Sequence, residues 1–168
     1  MTRAPEISVA ELLAERVSGL SPAKLPLTLR HVIDDLVLDV VGLCLAARQT
    51  EYVSAALAGA DGDGACTVIG HTRQGSATTA ALINGIAAHG EDFDDTFEGG
   101  PVHAGAVVVP AVLAIAERFR PEGPAALLGI AVGIETICRL SLVAPTRVHD
   151  AGFHPTSVFG AVAAAIAA

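Results

Sequence analysis

Residues 76–119 read SATTAALINGIAAHGEDFDDTFEGGPVHAGAVVVPAVLAIAERF, and they predict two apolar helices joined by an acidic loop. Ser76 is a typical N-cap residue for a helix over about Ala77–Ala88, and Gly90 is a typical residue to end it. A second helix is expected over about Ala106–Phe119. The loop between them carries five acidic residues within eight positions. This stretch indicates a helical fold that gathers polar groups between helices.

The rest of the chain continues this pattern of helix after helix. Ser8 and Glu11 have the spacing of a capping box, and the periodicity of the apolar residues predicts further helices. These helices are expected over about Val9–Ser18, Leu27–Arg48, Glu51–Leu57, Pro124–Leu142 and from Pro155 to the end of the chain. The segment 66–69, CTVI, is the one plausible strand. The fold class is therefore predicted to be all-α, with at most one short strand.

The composition indicates a packed core built from small side chains. Hydrophobic residues make up 52% of the chain, alanine supplies 32 residues, aromatic residues make up only 4% and Trp is absent. Charged residues make up 17%, below the roughly 25% of an ordinary soluble domain. Because so apolar a chain can bury a core, disorder is excluded for most of it. Small side chains favour closely packed helices over a sandwich of aromatic strands.

The net charge of −8 argues against two classes of partner. An acidic chain with a single lysine, Lys24, is a poor binder of nucleic acid and is not attracted to anionic lipid. The longest strictly apolar runs, such as 104–116 and 158–168, are shorter than the roughly 18 residues of a membrane-spanning helix. We therefore expect neither a nucleic-acid partner nor a membrane partner.

Cysteine usage and the first residues predict a cytoplasmic location. The three cysteines, Cys44, Cys66 and Cys138, have no CxxC spacing and are expected to be reduced thiols. Glutamates occur within the first 17 residues, where a signal peptide needs an apolar run. No secretory signal is therefore predicted.

The last residues, VFGAVAAAIAA over 158–168, have no C-cap glycine, no basic last turn and no polar tail. This pattern predicts that residues 1–168 are the N-terminal part of a large helical domain in a longer protein, with the remaining helices absent. Apolar helix faces without partners would make the isolated chain self-associate. We also expect the isolated chain to be inactive.

Two stretches carry candidate catalytic chemistry. In the first, residues 89–98, crowded carboxylates repel one another and need cations, hydrogen bonds or protons nearby. In the second, Pro155 suits the first position of a helix, which places His154 at the N-cap. There the positive end of the helix dipole and a titratable imidazole would together favour a carboxylate ligand.

The acidic stretch alone leaves two other functions open. Asp94, Asp95 and Glu98 resemble the acidic magnesium motif of all-helical terpenoid synthases, which act on a diphosphate. Alternatively, the chain is a non-catalytic helical dimerisation domain with a degenerate site. Magnesium dependence would identify a synthase, and the absence of further catalytic residues downstream would identify the non-catalytic domain.

The order and spacing of motifs over nearly the whole chain resemble the MmgE/PrpD family. The pattern consists of Asp39-x-x-Gly42, Asn84-Gly85, His89, Asp92-Phe93-Asp94-Asp95-Thr96, His103, Pro110-Ala111, Glu117 and Gly152-Phe153-His154-Pro155-Thr156 with Gly160. The family contains 2-methylcitrate dehydratases, cis-aconitate decarboxylases and iminodisuccinate epimerases. The resemblance implies a large all-helical domain followed by a smaller α/β lid domain, and a homodimer.

The resemblance also implies a cofactor-independent lyase, or alternatively an epimerase-type isomerase, of small di- or tricarboxylates. It implies His103, His154 and Asp92 as catalytic residues. Thr96 and Thr156 are implied as substrate-binding residues, no metal site is expected, and the family's active-site lysines would lie beyond residue 168. Asp94 and Asp95 are expected to tie the loop to helix N-termini. No role is predicted for His89, His31, His71 or His149.

Overall fold

The computed structural model describes residues 7–60 and 62–168, and over these ranges the chain is almost entirely helical. The α-helices in order are α1 (Val9–Ser18), α2 (Leu27–Ala47), α3 (Glu51–Gly59), α4 (Ala77–His89), α5 (Ala104–Phe119), α6 (Gly123–Val143), α7 (Arg147–Asp150) and α8 (Pro155–Ala167). A single 3₁₀ turn, Pro22–Lys24, precedes α2. The predicted all-α fold class is confirmed.

Side-chain caps set the starts of two helices as the sequence predicts. The hydroxyl of Ser8 accepts a hydrogen bond from the backbone N–H of Glu11 at 3.2 Å, and the Glu11 carboxylate accepts one from the Ser8 backbone N–H at 2.8 Å. At the start of α4 the Ser76 hydroxyl accepts from the backbone N–H of Thr79 at 3.1 Å. Each cap satisfies N–H groups that have no partner inside the helix.

Two short strands are present, so the expectation of at most one is wrong. Strand β1 (Cys66–Thr67) pairs antiparallel with β2 (Gln74–Gly75) around a turn in which Gly70 has a φ of 83°. Two-residue strands are too short to show an alternating pattern, and β2 was therefore not predicted. Helix α7 was not predicted either, because its four residues are too few to show a helical period.

The core lies where α2, α4, α5, α6 and α8 pack together. Helix α6 approaches both α5 and α8 closely because two of its glycines face these helices. A Cβ on Gly133 would lie 2.6 Å from a Val108 methyl carbon, and one on Gly129 would lie 2.5 Å from the Ala167 carbonyl oxygen. The small side chains noted in the sequence thus permit helix contacts that larger residues would prevent.

Helix α6 is long and apolar enough to cross a membrane by length and composition. Glu135 and Arg139 interrupt this helix, so it contains no strictly apolar run long enough to span a membrane. These two residues are joined by a hydrogen bond of 2.6 Å on the exposed face of α6. In the domain α6 packs against α5 and α8, as a core helix does.

An open apolar groove of about 930 Å³ lies between α1, the 3₁₀ turn, α2 and α6. Its walls include Leu12, Leu29, Val32 and Val143. Val32 is 60% exposed and Val143 is 81% exposed. None of the residues that line this groove belongs to the polar cluster described next.

Candidate active site

Three imidazoles from separate segments of the chain meet at one place. His89 is the last residue of α4, His103 is the N-cap of α5, and His154 is the N-cap of α8. The ring centroids of His89 and His103 are 4.7 Å apart, those of His89 and His154 are 5.6 Å apart, and those of His103 and His154 are 6.1 Å apart. The packing of α4, α5 and α8 therefore brings together side chains up to 65 positions apart in the sequence.

The buried carboxylate of Asp94 contacts two of these imidazoles. Its side chain has no exposed surface, and its oxygens lie 3.0 and 3.2 Å from Nδ1 of His89. One oxygen also lies 3.2 Å from Nδ1 of His103. The expectation that Asp94 ties the loop to a helix N-terminus is wrong, because its partners are side chains of the imidazole cluster.

Asp92 lies at the open edge of the cluster. Its backbone has a φ of 57°, a left-handed conformation that Asp tolerates better than most residues. Its side chain is 79% exposed, and Oδ1 lies 3.7 Å from Nε2 of His103. Asp92 and Asp94 thus face opposite nitrogens of the same imidazole, one from solvent and one from the interior.

Asp95 holds the first turn of α5, as the sequence analysis predicts. Its carboxylate accepts hydrogen bonds from the backbone N–H groups of Ala104 at 3.2 Å and Gly105 at 2.8 Å. A Cβ at position 105 would collide with this carboxylate and lie 2.8 Å from a Leu36 methyl carbon. Burial raises the pKa of Asp95, and the bond from Gly105 opposes that rise. This cap explains why α5 begins two residues before its predicted start.

The two threonines predicted to bind substrate have different surroundings. Thr96 is exposed, and its hydroxyl lies 3.5 Å from Nδ1 of His103. Thr156 is buried, and its hydroxyl accepts a 3.0 Å hydrogen bond from the backbone N–H of His103. The Thr156 hydroxyl is therefore engaged within the protein, and its contact with a substrate carboxylate stays a prediction.

His154 is the most exposed imidazole of the cluster, and its pKa is lowered. Partial burial lowers its pKa from the ordinary value, and the neighbouring imidazoles of His89, His103 and His149 lower it further. The carboxylate of Asp92 acts in the opposite direction. A lowered pKa leaves a larger neutral fraction of this imidazole at neutral pH, and a neutral imidazole can accept a proton.

The sequence of this chain matches the family model of the MmgE/PrpD N-terminal domain over residues 11–168. The chain belongs to the MmgE/PrpD family. The match includes all of the loop and helix ends that form the imidazole cluster.

Curated MmgE/PrpD relatives include fungal and mammalian proteins. The chain is 29% identical to the cis-aconitate decarboxylase-like protein oryM of Aspergillus oryzae over 97% of its own length and 36% of that protein. It is 30% identical to the cis-aconitate decarboxylase of Aspergillus terreus, over 62% of the chain and 22% of that protein. It is 39% identical to the cis-aconitate decarboxylase of Homo sapiens, over 54% of the chain and 20% of that protein. The chain thus spans at most 36% of the length of these three relatives.

His89 is the residue of this MmgE/PrpD domain that sequence reasoning missed. It was given no role, yet its ring packs against both His103 and His154 and contacts Asp94. One signal was present in the sequence. A histidine in the last turn of a helix, followed five positions later by Asp94, can fold back onto that carboxylate once Gly90 ends the helix.

Four residues of the MmgE/PrpD cluster have the spacing of a possible cation site. His89, Asp92, Asp94 and His103 each present one ligand atom, and these atoms lie within 4.8 Å of one another. Imidazoles and carboxylates are ligands for zinc and related divalent ions. The buried carboxylate of Asp94 already lies within hydrogen-bond distance of Nδ1 of His89, so it has a partner without a cation.

Proposed function

We propose that this chain supplies the imidazole side of the active site of a cofactor-independent lyase that acts on small di- or tricarboxylates. The reaction would be of the cis-aconitate decarboxylase or 2-methylcitrate dehydratase type. Membership of the MmgE/PrpD family and the names of the three relatives support the reaction class. The observation that carries the proposal is the convergence of three imidazoles at the N-termini of α5 and α8 and the C-terminus of α4.

Such a cluster suits chemistry next to a carboxylate. In a decarboxylation, the carbon–carbon bond to the leaving carboxylate breaks, CO₂ departs, and the electron pair stays on carbon until a protonated group donates a proton there. In a dehydration, a base removes a proton beside a carboxylate, and the leaving hydroxide takes a proton from an acid. Both reactions pass through extra negative charge next to a carboxylate, which cationic and N–H donors stabilise.

The geometry supports a division of the base and acid roles between His154 and His103. His154, with its lowered pKa, is suited to accept a proton. His103 presents Nε2 towards the open edge of the site, where Asp92 lies 3.7 Å away. In its protonated form, His103 donates a proton to carbon or to the leaving group. We propose that the exposed hydroxyl of Thr96, 3.5 Å from Nδ1 of His103, donates to a substrate carboxylate.

The contacts of the acidic residues disfavour the magnesium-dependent synthase. Asp95 already caps α5, and Asp94 is buried between imidazoles. Only Glu98 of the proposed triad is exposed to solvent. Burying the Asp94 carboxylate beside two imidazoles costs desolvation free energy. A non-catalytic dimerisation domain would have no need for such a group, and this disfavours that alternative.

The test is a kinetic comparison of variants of the full-length protein on 2-methylcitrate, cis-aconitate and iminodisuccinate. His103→Ala and His154→Ala should each lower kcat/KM by about 100-fold or more, the scale of losing an acid–base group. Asp92→Asn should also lower it severely. His31→Ala, an exposed position on α2, is the matched control and should retain full turnover. Folding is checked by circular dichroism.

The three substrates separate the alternatives. Racemisation of iminodisuccinate without turnover of the other two would make the protein an epimerase-type isomerase. Near-normal turnover by folded His103→Ala and His154→Ala variants would show that the site lies elsewhere. We further propose that the protein works as a cytoplasmic homodimer, which sedimentation of the full-length protein tests.

A further inference from the structure

His149 is a fourth imidazole, next to the three of the cluster. Its ring centroid lies 6.1 Å from that of His154, with an angle of 67° between the two ring planes, and the residue is exposed. Burial is the first cause of the lowered pKa of His154, followed by the neighbouring imidazoles, among them that of His149. His149 therefore lies where a small molecule bound at His154 can reach it.

A turn with defined backbone hydrogen bonds sets the position of His149 relative to His154. Helix α7 ends in a Schellman motif, in which the backbone N–H of Phe153 donates a 3.0 Å hydrogen bond to the carbonyl oxygen of Val148. The N–H of Gly152 donates one of 2.8 Å to the carbonyl oxygen of His149. Gly152 has a φ of 82°, a left-handed conformation that glycine adopts without strain. The backbone between the two histidines thus holds their rings together.

An anionic ligand at His154 needs hydrogen-bond donors that carry no negative charge. Asp92, which is exposed at the open edge of the site, repels a carboxylate there. The ring of His149 instead carries an N–H donor in both its neutral and its protonated form. The N-terminus of α8, which begins next to His154, adds the positive end of a helix dipole. The surroundings of His149 and His154 therefore favour a carboxylate more than the edge at Asp92 does.

The proposed substrates carry more than one group that needs such donors. A di- or tricarboxylate has its carboxylates a few bonds apart, so one can lie at the reacting centre while another contacts a group beyond His154. We propose that His149 is a further substrate-binding residue, which donates a hydrogen bond to a substrate carboxylate away from the bond that breaks. The inference rests on the proposed function, because that function supplies an anionic substrate with several carboxylates.

The kinetic test compares variants of the full-length protein at pH 8, where histidine ordinarily carries little charge. His149→Ala should raise KM about tenfold, the scale of losing a hydrogen bond to a charged group. The kcat should stay within about threefold of wild type, because a contact made equally in the ground state and the transition state changes KM alone. His149→Gln keeps side-chain N–H donors and should raise KM less. His31→Ala, exposed on α2, is the control and should leave both parameters unchanged.

A binding measurement makes the test independent of turnover. The probe is propane-1,2,3-tricarboxylate, which has neither the hydroxyl group of 2-methylcitrate nor the double bond of cis-aconitate. Isothermal titration calorimetry should give a Kd about tenfold higher for His149→Ala than for wild type. The Kd of His31→Ala should equal that of wild type. Equal Kd values for wild type and folded His149→Ala, or a wild-type protein that does not bind the probe, would overturn the inference.

The outcomes also separate this inference from the proposed function. Absence of turnover on all three substrates, together with the expected rise in Kd, would refute the proposed function and leave the binding role of His149 intact. Turnover by wild type, with KM and Kd unchanged in His149→Ala, would refute the binding role alone. A fall in kcat with KM and Kd unchanged would refute it too, because His149 would then act through His154 and not on the substrate.

Discussion

The backbone N–H of His103 donates a 3.0 Å hydrogen bond to the hydroxyl oxygen of Thr156, 53 positions further along the chain. The bond joins the N-termini of α5 and α8, the two helices that carry His103 and His154 as their N-caps. The separation of these two imidazoles therefore depends on a contact that lies beneath them, in the interior of the protein.

Thr156→Val should reduce both stability and activity. Valine has nearly the shape of threonine but no acceptor, so the His103 N–H loses its partner, at a cost of about 1–3 kcal/mol in the free energy of unfolding. Thr156→Ser keeps the hydroxyl and should lose less. Urea denaturation of the full-length protein measures the difference. Equal stability of wild type and Thr156→Val would show that the bond does not hold the helices together.

Asp95→Ala should act through stability rather than through the chemical step. The substitution removes the acceptor for the Ala104 and Gly105 N–H groups at the start of α5, and loss of such a cap costs about 1–2 kcal/mol. Asp95→Asn keeps one acceptor and should cost less. Both variants should keep kcat/KM within about tenfold at temperatures where they are folded. A folded Asp95→Asn variant with the activity loss of His103→Ala would contradict this role.

The lowered pKa of His154 predicts how stability depends on pH. Because the folded protein binds this proton more weakly than the unfolded chain does, the stability contribution is present above the unfolded pKa, near 6.5. It is lost as the pH falls through the lower folded value. Replacing His154 by Asn removes this contribution.

The measurement is the Tm of wild type and His154→Asn between pH 8 and pH 5. Wild type should lose more Tm on acidification than the variant does. A variant that loses as much as wild type would show that other groups cause the loss.

Chelation should leave the activity of the full-length protein unchanged. His89, Asp92, Asp94 and His103 have the spacing of a cation site, but the proposed chemistry runs on proton transfer alone. Prolonged dialysis against EDTA, followed by assay and metal analysis, tests this. Activity that falls on dialysis and returns with magnesium or zinc would favour a metal-dependent reaction.

The apolar groove between α1, α2 and α6 predicts self-association of residues 1–168 produced alone. Exposed Val32 and Val143 line it, and contiguous apolar surface of this kind is normally covered. Val32→Lys with Val143→Lys should shift the sedimentation profile towards monomer. Leu82→Lys, at a position on α4 that is as exposed as Val32 but lies outside the groove, is the control. A monodisperse wild-type monomer would contradict the prediction.

Local signals in the sequence were sufficient for most of the helices, because their ends are determined by nearby residues. Ser8, Ser76 and Pro155 begin helices through backbone chemistry within one turn. The start of α5 was predicted two residues late because its cap, Asp95, comes from nine positions upstream of Ala104.

The internal order of the site was less predictable. Asp92, Asp94 and Asp95 are alike in sequence, and only the packed structure shows that one faces solvent, one faces two imidazoles and one caps a helix. His89 was missed because its importance arises from the approach of α5 and α8 to the end of α4. Such tertiary contacts leave no periodic pattern in the chain.

The position of α8 has a consequence for the order of events during synthesis. On the ribosome the N-terminal helices emerge first and begin to fold as units. A nascent chain that ends before residue 154 can already pair His89 and His103 through Asp94, but it exposes the α5 and α6 surfaces that α8 covers. Only when α8 docks does the His103 N–H find the Thr156 hydroxyl and the third imidazole arrive. The three imidazoles of the cluster therefore come together only after α8 has left the exit tunnel.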